Sequence, residues 1–345
     1  MMNLNKILRP NIASLAPYST ARDEYEGGEI ATFLDANESP YDTGLNRYPD
    51  PHLKAVRWQL AKIKGVKSDQ IFVGNGSDEA IDLVFRLFCT PAKDNVVIIS
   101  PSYGMYKVAA EINDIEVREV VLNEDFSLDA DALLNTTDQN TKAIFICSPN
   151  NPTANLLDRA EVERLLKEFH GVVVVDEAYI DFAQNYRSFS EDLALFDNLI
   201  VLQTLSKAWG LAGVRFGMAF ASKEIVAVMN KVKYPYNINI LTQRLVLEKL
   251  TEYQRVKDEC KVIIAEREML ISEFSKIEKI EKVYPSDANF ILIKVADANK
   301  LYDYLVDNGV IVRNRNSVTL CKGCLRITVG TSAENQQLVN LMRNS

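Results

Sequence analysis

Histidine is scarce in this chain: His52 and His170 are the two in its 345 residues. His170 stands just ahead of the apolar run 172–175 and reads as a helix-end residue, so imidazole chemistry is not expected to carry the function. Cysteine is sparse as well. Cys89, Cys147, Cys260, Cys321 and Cys324 form an odd, scattered set, which excludes a disulfide-stapled secreted scaffold and points to a reduced, cytoplasmic protein. Cys321-Lys322-Gly323-Cys324 has redox or zinc spacing, but with no second pair and no nearby histidine it reads as structural, and no metal is expected. Long apolar runs are missing: the strongest, 172–175, is far too short to cross a bilayer. No apolar segment follows Lys6 and Arg9, so no secretory signal is expected. Positive charge is in deficit, 39 Lys and Arg against 47 Asp and Glu, for a formal net charge of −8. That balance argues against nucleic acid or an anionic membrane as partner and still allows local basic pockets for small phosphates. There is no internal repeat and no low-complexity tract.

What remains is an ordinary globular composition, 47% hydrophobic and 25% charged, in a chain long enough for a large domain and a smaller one. Pro10, Pro17, Pro40, Pro49 and Pro51 punctuate an irregular N-terminal arm and connecting segment. Short apolar runs at 71–73, 96–100, 143–147, 172–175 and 199–203 end at polar, Gly or Pro residues, as buried parallel strands do. Ile81, Val84, Phe85 and Phe88 give 78–88 a helical face. Strand–helix alternation predicts an α/β domain with a large, doubly wound, mostly parallel sheet over 45–242. Beyond it, 241–277 is charged and helically periodic with a break. Strands are expected at 288–295, 310–313 and 325–329 and helices at 300–308 and 333–342, so 1–44 with 243–345 reads as the arm plus a small α+β domain.

In open α/β sheets ligands bind at the carboxyl ends of the strands, and four of these ends carry chemistry. Gly74-Asn75-Gly76-Ser77-Asp78-Glu79 is a glycine turn feeding a helix start, with Ser77 or Asp78 as its cap, and such starts bind phosphate. Asn151, in Ser148-Pro149-Asn150-Asn151-Pro152-Thr153, precedes a proline, is held extended and can aim its amide at a ring hydroxyl. Asp176 ends a wholly apolar strand, where a carboxylate is expensive without a cation. A protonated pyridine nitrogen would serve, and Tyr179 could donate to the ring oxygen. Lys207 sits in a run from Thr204 to Gly217 with Ser206, Gly210, Gly213 and Arg215. The amine suits imine chemistry and proton transfer, and Ser206 and Arg215 suit a phosphate. Tyr103, after a further strand, can stack on a planar ring. Phosphate cradle, ring-oxygen ligand, ring-nitrogen carboxylate and imine lysine together describe a pyridoxal 5′-phosphate (PLP) site.

These motifs resemble those of the fold-type I PLP-dependent aminotransferases, and more narrowly the histidinol-phosphate group of class II. Leu15-Ala16-Pro17-Tyr18, Asn37-Glu38-Ser39-Pro40, Arg47-Tyr48-Pro49-Asp50, Tyr103-Gly104-Met105-Tyr106, Asp176-Glu177-Ala178-Tyr179 and Gly323 to Gly330 extend the resemblance over nearly the whole chain. It implies transfer of an amino group from L-histidinol phosphate to 2-oxoglutarate, a homodimer with shared sites, and Lys207, Asp176 and Tyr179 as catalytic residues. It also implies that Ser77, Asp78, Ser206 and Arg215 hold the cofactor phosphate, that Tyr48 reaches the neighbouring subunit's phosphate, and that Asn151, Tyr179 and Tyr103 contact the ring. Arg326 matches the arginine for the substrate's anionic end, and Arg313 and Tyr18, with Asn37 beside them, match residues gripping the substrate phosphate; Arg315 is a second basic candidate there. Ala154 departs from the glycine common after Asn-Pro-Thr. Aromatic-amino-acid aminotransferases and phosphothreonine decarboxylases share the pattern, as does the sensor domain of PLP-binding regulators, for whose DNA-binding module the arm ahead of Tyr18 is expected to be too short.

Overall fold

The computed structural model describes residues 4–17 and 32–344. A seven-stranded sheet is formed by β1 (Ile71–Gly74), β2 (Asn95–Ser100), β3 (Glu116–Val121), β4 (Thr141–Cys147), β5 (Val172–Asp176), β6 (Leu199–Thr204) and β7 (Gly217–Ala221), in the order β1-β7-β6-β5-β4-β2-β3. β3, β2, β4, β5 and β6 pair in parallel, and β7 runs antiparallel to both of its neighbours. Wholly apolar, β-branched runs such as Val172–Val175 are buried because helices cover both faces of the sheet. Among them, the helix Ser77–Phe88 buries Ile81, Val84, Phe85 and Phe88.

A smaller antiparallel sheet holds β8 (Ile280–Val283), β9 (Phe290–Val295), β10 (Arg313–Asn314) and β11 (Cys324–Thr328), in the order β10-β11-β9-β8. Its alternation divides the work between two faces. Ile291, Ile293, Val295, Leu325 and Ile327 pack with Leu270, Leu305 and Val339 from the flanking helices. Phe290, Leu292 and Cys324 instead join the core that underlies the large sheet, so one continuous apolar cluster spans both sheets. Arg313 lies opposite Arg326 on that second face.

Several expectations shift. The break within 241–277 falls between the helices Ile240–Leu250 and Tyr253–Phe274. The strand expected at 310–313 is the pair Arg313–Asn314, and β3, β7 and β8 were not expected from sequence. The arm, expected to be irregular, contains the short helices Leu4–Ile7 and Pro10–Ala13, the second with proline at its first position.

Candidate active site

The carboxyl ends of β1, β4, β5 and β6 open on a shared cleft. Ser77, Asp78, Tyr103, Asn151, Asp176, Tyr179, Ser206, Lys207 and Arg215 line it. These nine residues, chosen from separate sequence motifs, therefore share one cavity.

The anion cradle is built from close backbone approach. The helix Ser77–Phe88 has its cap at Gly76 (φ 77°) with no side-chain cap bond, which corrects the expectation that Ser77 or Asp78 caps it. The first amides of that helix are thus left without a side-chain acceptor and suit an anion. A Cβ on Gly217 would stand 2.1 Å from Ser77 N and 2.2 Å from Gly76 C, so glycine is what lets β7 begin against the helix start. The Asp78 carboxylate braces the wall: Oδ1 accepts from Tyr103 Oη at 3.1 Å and Oδ2 from Arg215 Nη2 at 3.3 Å. Arg215 Nη1 also lies 3.5 Å from Ser206 Oγ.

Asp176 is buried, 3% exposed, with Oδ1 accepting from Ala178 N at 3.0 Å and Oδ2 from Tyr106 Oη at 2.7 Å. Burial pushes its pKa up to about 6; those two bonds and, less strongly, the charge of Lys207 oppose the rise. Beneath it, Glu177 accepts from Ser188 Oγ, Phe189 N and Gln203 Nε2, which anchors the turn that carries Asp176 and Tyr179. Lys207 is held below its ordinary pKa by burial first and the Arg326 guanidinium second, and its Nζ lies 5.5 Å from the Tyr179 ring centre. Tyr179 packs edge-on against Phe290 of the small sheet at 5.1 Å, and burial raises its phenol pKa.

Adjacent asparagines serve different purposes. Asn150 is fully buried and ties two strand-end loops together, donating to Pro101 O and Thr153 Oγ1 and accepting from Ser102 Oγ. Asn151 lines the cleft and accepts from Arg326 Nη1, which reaches across from β11. Arg326 also lies 5.1 Å over the Phe290 ring, and its Nε is buried without a partner, as is Arg315 Nε. Burial lowers the pKa of both, with neighbouring arginine charge adding to it. Arg313, in register with Arg326, is exposed. Ala154 adopts φ 70°, the conformation glycine favours, and its carbonyl accepts from Asp287 N at 2.8 Å, so alanine occupies this turn under backbone strain.

Tyr48 and Asn37 do not join this cleft. They line another, with Glu38, Arg47, Tyr236 and Ile240, where Tyr48 stacks on Tyr236 at 4.4 Å and is 50% exposed. Tyr18 lies outside the described residues. His52 and His170 are absent from the cleft lining, while Thr204, Cys147 and Ala178, not selected from sequence, are part of it. Tyr106 was also missed. Its signal was an aromatic pair three residues apart after a strand end, which sequence alone reads as core packing.

The residues present fit a phosphorylated, cationic heterocycle. An uncapped helix start with Arg215 suits the phosphate, and a fully buried carboxylate suits a cation. Comparison with known proteins agrees. Residues 24–341 match the family model for aminotransferase class I and II. The histidinol-phosphate aminotransferase of Parabacteroides distasonis is 55% identical over 344 residues, covering 100% of this chain and 99% of that protein. The crystal structure of the histidinol-phosphate aminotransferase from Clostridium acetobutylicum superposes with a TM-score of 0.80 at 25% identity, over 87% of this chain and 91% of that one. The Sinorhizobium meliloti enzyme of the same name, in complex with pyridoxal-5′-phosphate, gives 0.77 at 21% identity over 86% and 82%, a likeness of fold.

Proposed function

Since the chain belongs to the class I and II aminotransferases, and within them to the histidinol-phosphate aminotransferases, we propose that it moves the amino group of L-histidinol phosphate to 2-oxoglutarate using pyridoxal phosphate. The products are imidazole acetol phosphate and L-glutamate, a step of histidine biosynthesis. The observation that carries the reading is the buried Asp176 carboxylate in one cleft with the Lys207 amine and the uncapped helix start.

When bound, pyridoxal phosphate supplies an aldehyde that condenses with amines and a protonated ring that draws electron density from the reacting carbon. The amides of Ser77 and Asp78, with Ser206 and Arg215, hold its phosphate. Asp78 acts there through its backbone, because its carboxylate is taken up by Tyr103 and Arg215. Asp176 keeps the ring nitrogen protonated, Asn151 and Tyr179 hold the ring oxygen, and Tyr103 covers the ring face. Lys207 Nζ, its pKa lowered by burial and by the Arg326 charge, would serve as the base that takes the proton from the amino-bearing carbon of the substrate and then as the acid that gives it back. Arg326 and Arg313 form the anion site for carboxylate or phosphate, with Arg315 beside them on the same face.

Tyr48 and Asn37 act in a homodimer, Tyr48 reaching the partner's cofactor phosphate and Asn37 lying at the substrate end. Support comes from exposed apolar residues on the two segments that line their groove, Leu34 (88% exposed), Tyr41 (80%) and Leu45 (51%) on one and Tyr234 (76%) and Leu241 (58%) on the other. Sedimentation analysis tests this, and a monomeric holoenzyme would contradict it. The unpaired thiols of all five cysteines support a reducing, cytoplasmic setting. No described helix is long and apolar enough to cross a membrane.

Spectral titration tests the reaction. The yellow holoenzyme should bleach with L-histidinol phosphate and recover its colour with 2-oxoglutarate. No spectral change would refute transamination, and a wide preference for phenylalanine would refute the substrate.

A further inference from the structure

We infer that Tyr106 is a positioning residue for the cofactor: its phenol fixes one oxygen of Asp176 so that the carboxylate meets the ring nitrogen charged and correctly turned. This rests on the reading of Asp176 given above.

Asp176 accepts one bond from its own turn, Ala178 N at 3.0 Å, and one from a separate element, Tyr106 Oη at 2.7 Å on the helix Met105–Ile112. The local bond travels with the turn. The bond from Tyr106, 70 residues away, locks the carboxylate to the rest of the domain. The donor itself has little freedom. Tyr106 is 0% exposed, stacked on Phe145 at 5.2 Å and edge-on to Tyr103 at 5.5 Å. Burial, and after it the Asp176 charge, lifts the phenol pKa well above its ordinary value, so it stays protonated as a donor.

The type of donor matters. Lysine or arginine at this position would neutralise Asp176 and compete with a cationic ring nitrogen for it. A tyrosine hydroxyl stabilises the carboxylate and leaves its charge for the ring. The same side chain braces Tyr103, the ring proposed to cover the cofactor, so two cofactor contacts depend on one buried residue.

A tyrosine that merely fills the core would make different predictions on removal of its hydroxyl. Apoenzymes of wild type, Y106F and D176N are titrated across pH with pyridoxal phosphate and with its 1-deaza analogue, in which carbon replaces the ring nitrogen. Binding is read by absorbance and by quenching of protein fluorescence. Y106F should weaken pyridoxal phosphate about tenfold, the worth of one hydrogen bond to a charged group. It should also move the acid-side midpoint of binding to higher pH and leave the analogue nearly unaffected. Unchanged affinity and midpoint, or equal weakening of cofactor and analogue, would overturn the inference. Fluorotyrosine at position 106 gives a second test that preserves the ring: as a stronger donor it should move the midpoint to lower pH, and a fixed midpoint would overturn the proposal. D176N separates the two levels. If it weakens both compounds equally, the reading of Asp176 fails and takes the inference with it. If it selectively weakens pyridoxal phosphate while Y106F does not, the role of Tyr106 alone is refuted.

Discussion

Replacing Asp176 with asparagine should separate stability from function. Folding carries this carboxylate into a site where it is 3% exposed, and burial raises its pKa from an ordinary 3.8 to about 6. Keeping it ionised at neutral pH therefore costs the apoprotein on the order of 3 kcal/mol. The direction of the shift sets the sign. The fold favours the protonated form, so the penalty is absent below about pH 4, grows toward about pH 6 and is complete above it. D176N removes the charge. Its single amide oxygen cannot serve both Tyr106 and Ala178, however, which returns roughly 1 kcal/mol. The apoprotein should thus gain about 2 kcal/mol near neutral pH and lose that advantage near pH 4. Reversible urea unfolding of both apoproteins at the two pH values measures this. Adding pyridoxal phosphate should reverse the order, because the wild type then has a cation opposite its carboxylate. A D176N apoprotein less stable than wild type at neutral pH, or a difference independent of pH, would refute the reasoning.

R326Q should lower kcat/KM for both glutamate and L-histidinol phosphate by at least about tenfold. After burial, Arg326 is the main influence lowering the Lys207 pKa, so the pH at which the apoenzyme captures pyridoxal phosphate should also rise; unchanged kinetics and capture would contradict the assignment. R313A should cost L-histidinol phosphate about tenfold more than glutamate, since an arginine fork pairs with phosphate, and equal losses in steady-state kinetics would argue against a phosphate anchor. G217A would place a methyl 2.1 Å from Ser77 N, backbone that cannot swing aside. Its Tm and its cofactor affinity should both fall, with a destabilisation of about 1–3 kcal/mol, and an unaltered Tm would contradict the close-approach argument.

The core of the fold could be read from the sequence where burial is two-sided. Val172–Asp176 and Leu199–Thr204 announce themselves because parallel central strands are apolar throughout. The edge strand Glu116–Val121 mixes charged and apolar residues, none of them fully buried, and leaves no such run. Gly217–Ala221 was hidden because its first residue belongs to the glycine-rich run after Lys207, and its antiparallel pairing depends on distant residues. The two-residue strand Arg313–Asn314 is defined by its partner across the sheet rather than by local pattern. Residues of the cleft were readable where they end a strand, as Asp176 does. Tyr106 was not, because its bond to Asp176 joins residues 70 positions apart. Tyr48 and Asn37 lie apart from the other candidates within one chain, which is a property of three-dimensional placement that no motif records.

The most direct test of the central claim is borohydride reduction of the protein loaded with pyridoxal phosphate, followed by peptide mapping by mass spectrometry. The account predicts a single pyridoxyl adduct on Lys207, lost when Lys207 is replaced by alanine. An adduct on another lysine, or none at all, would contradict it.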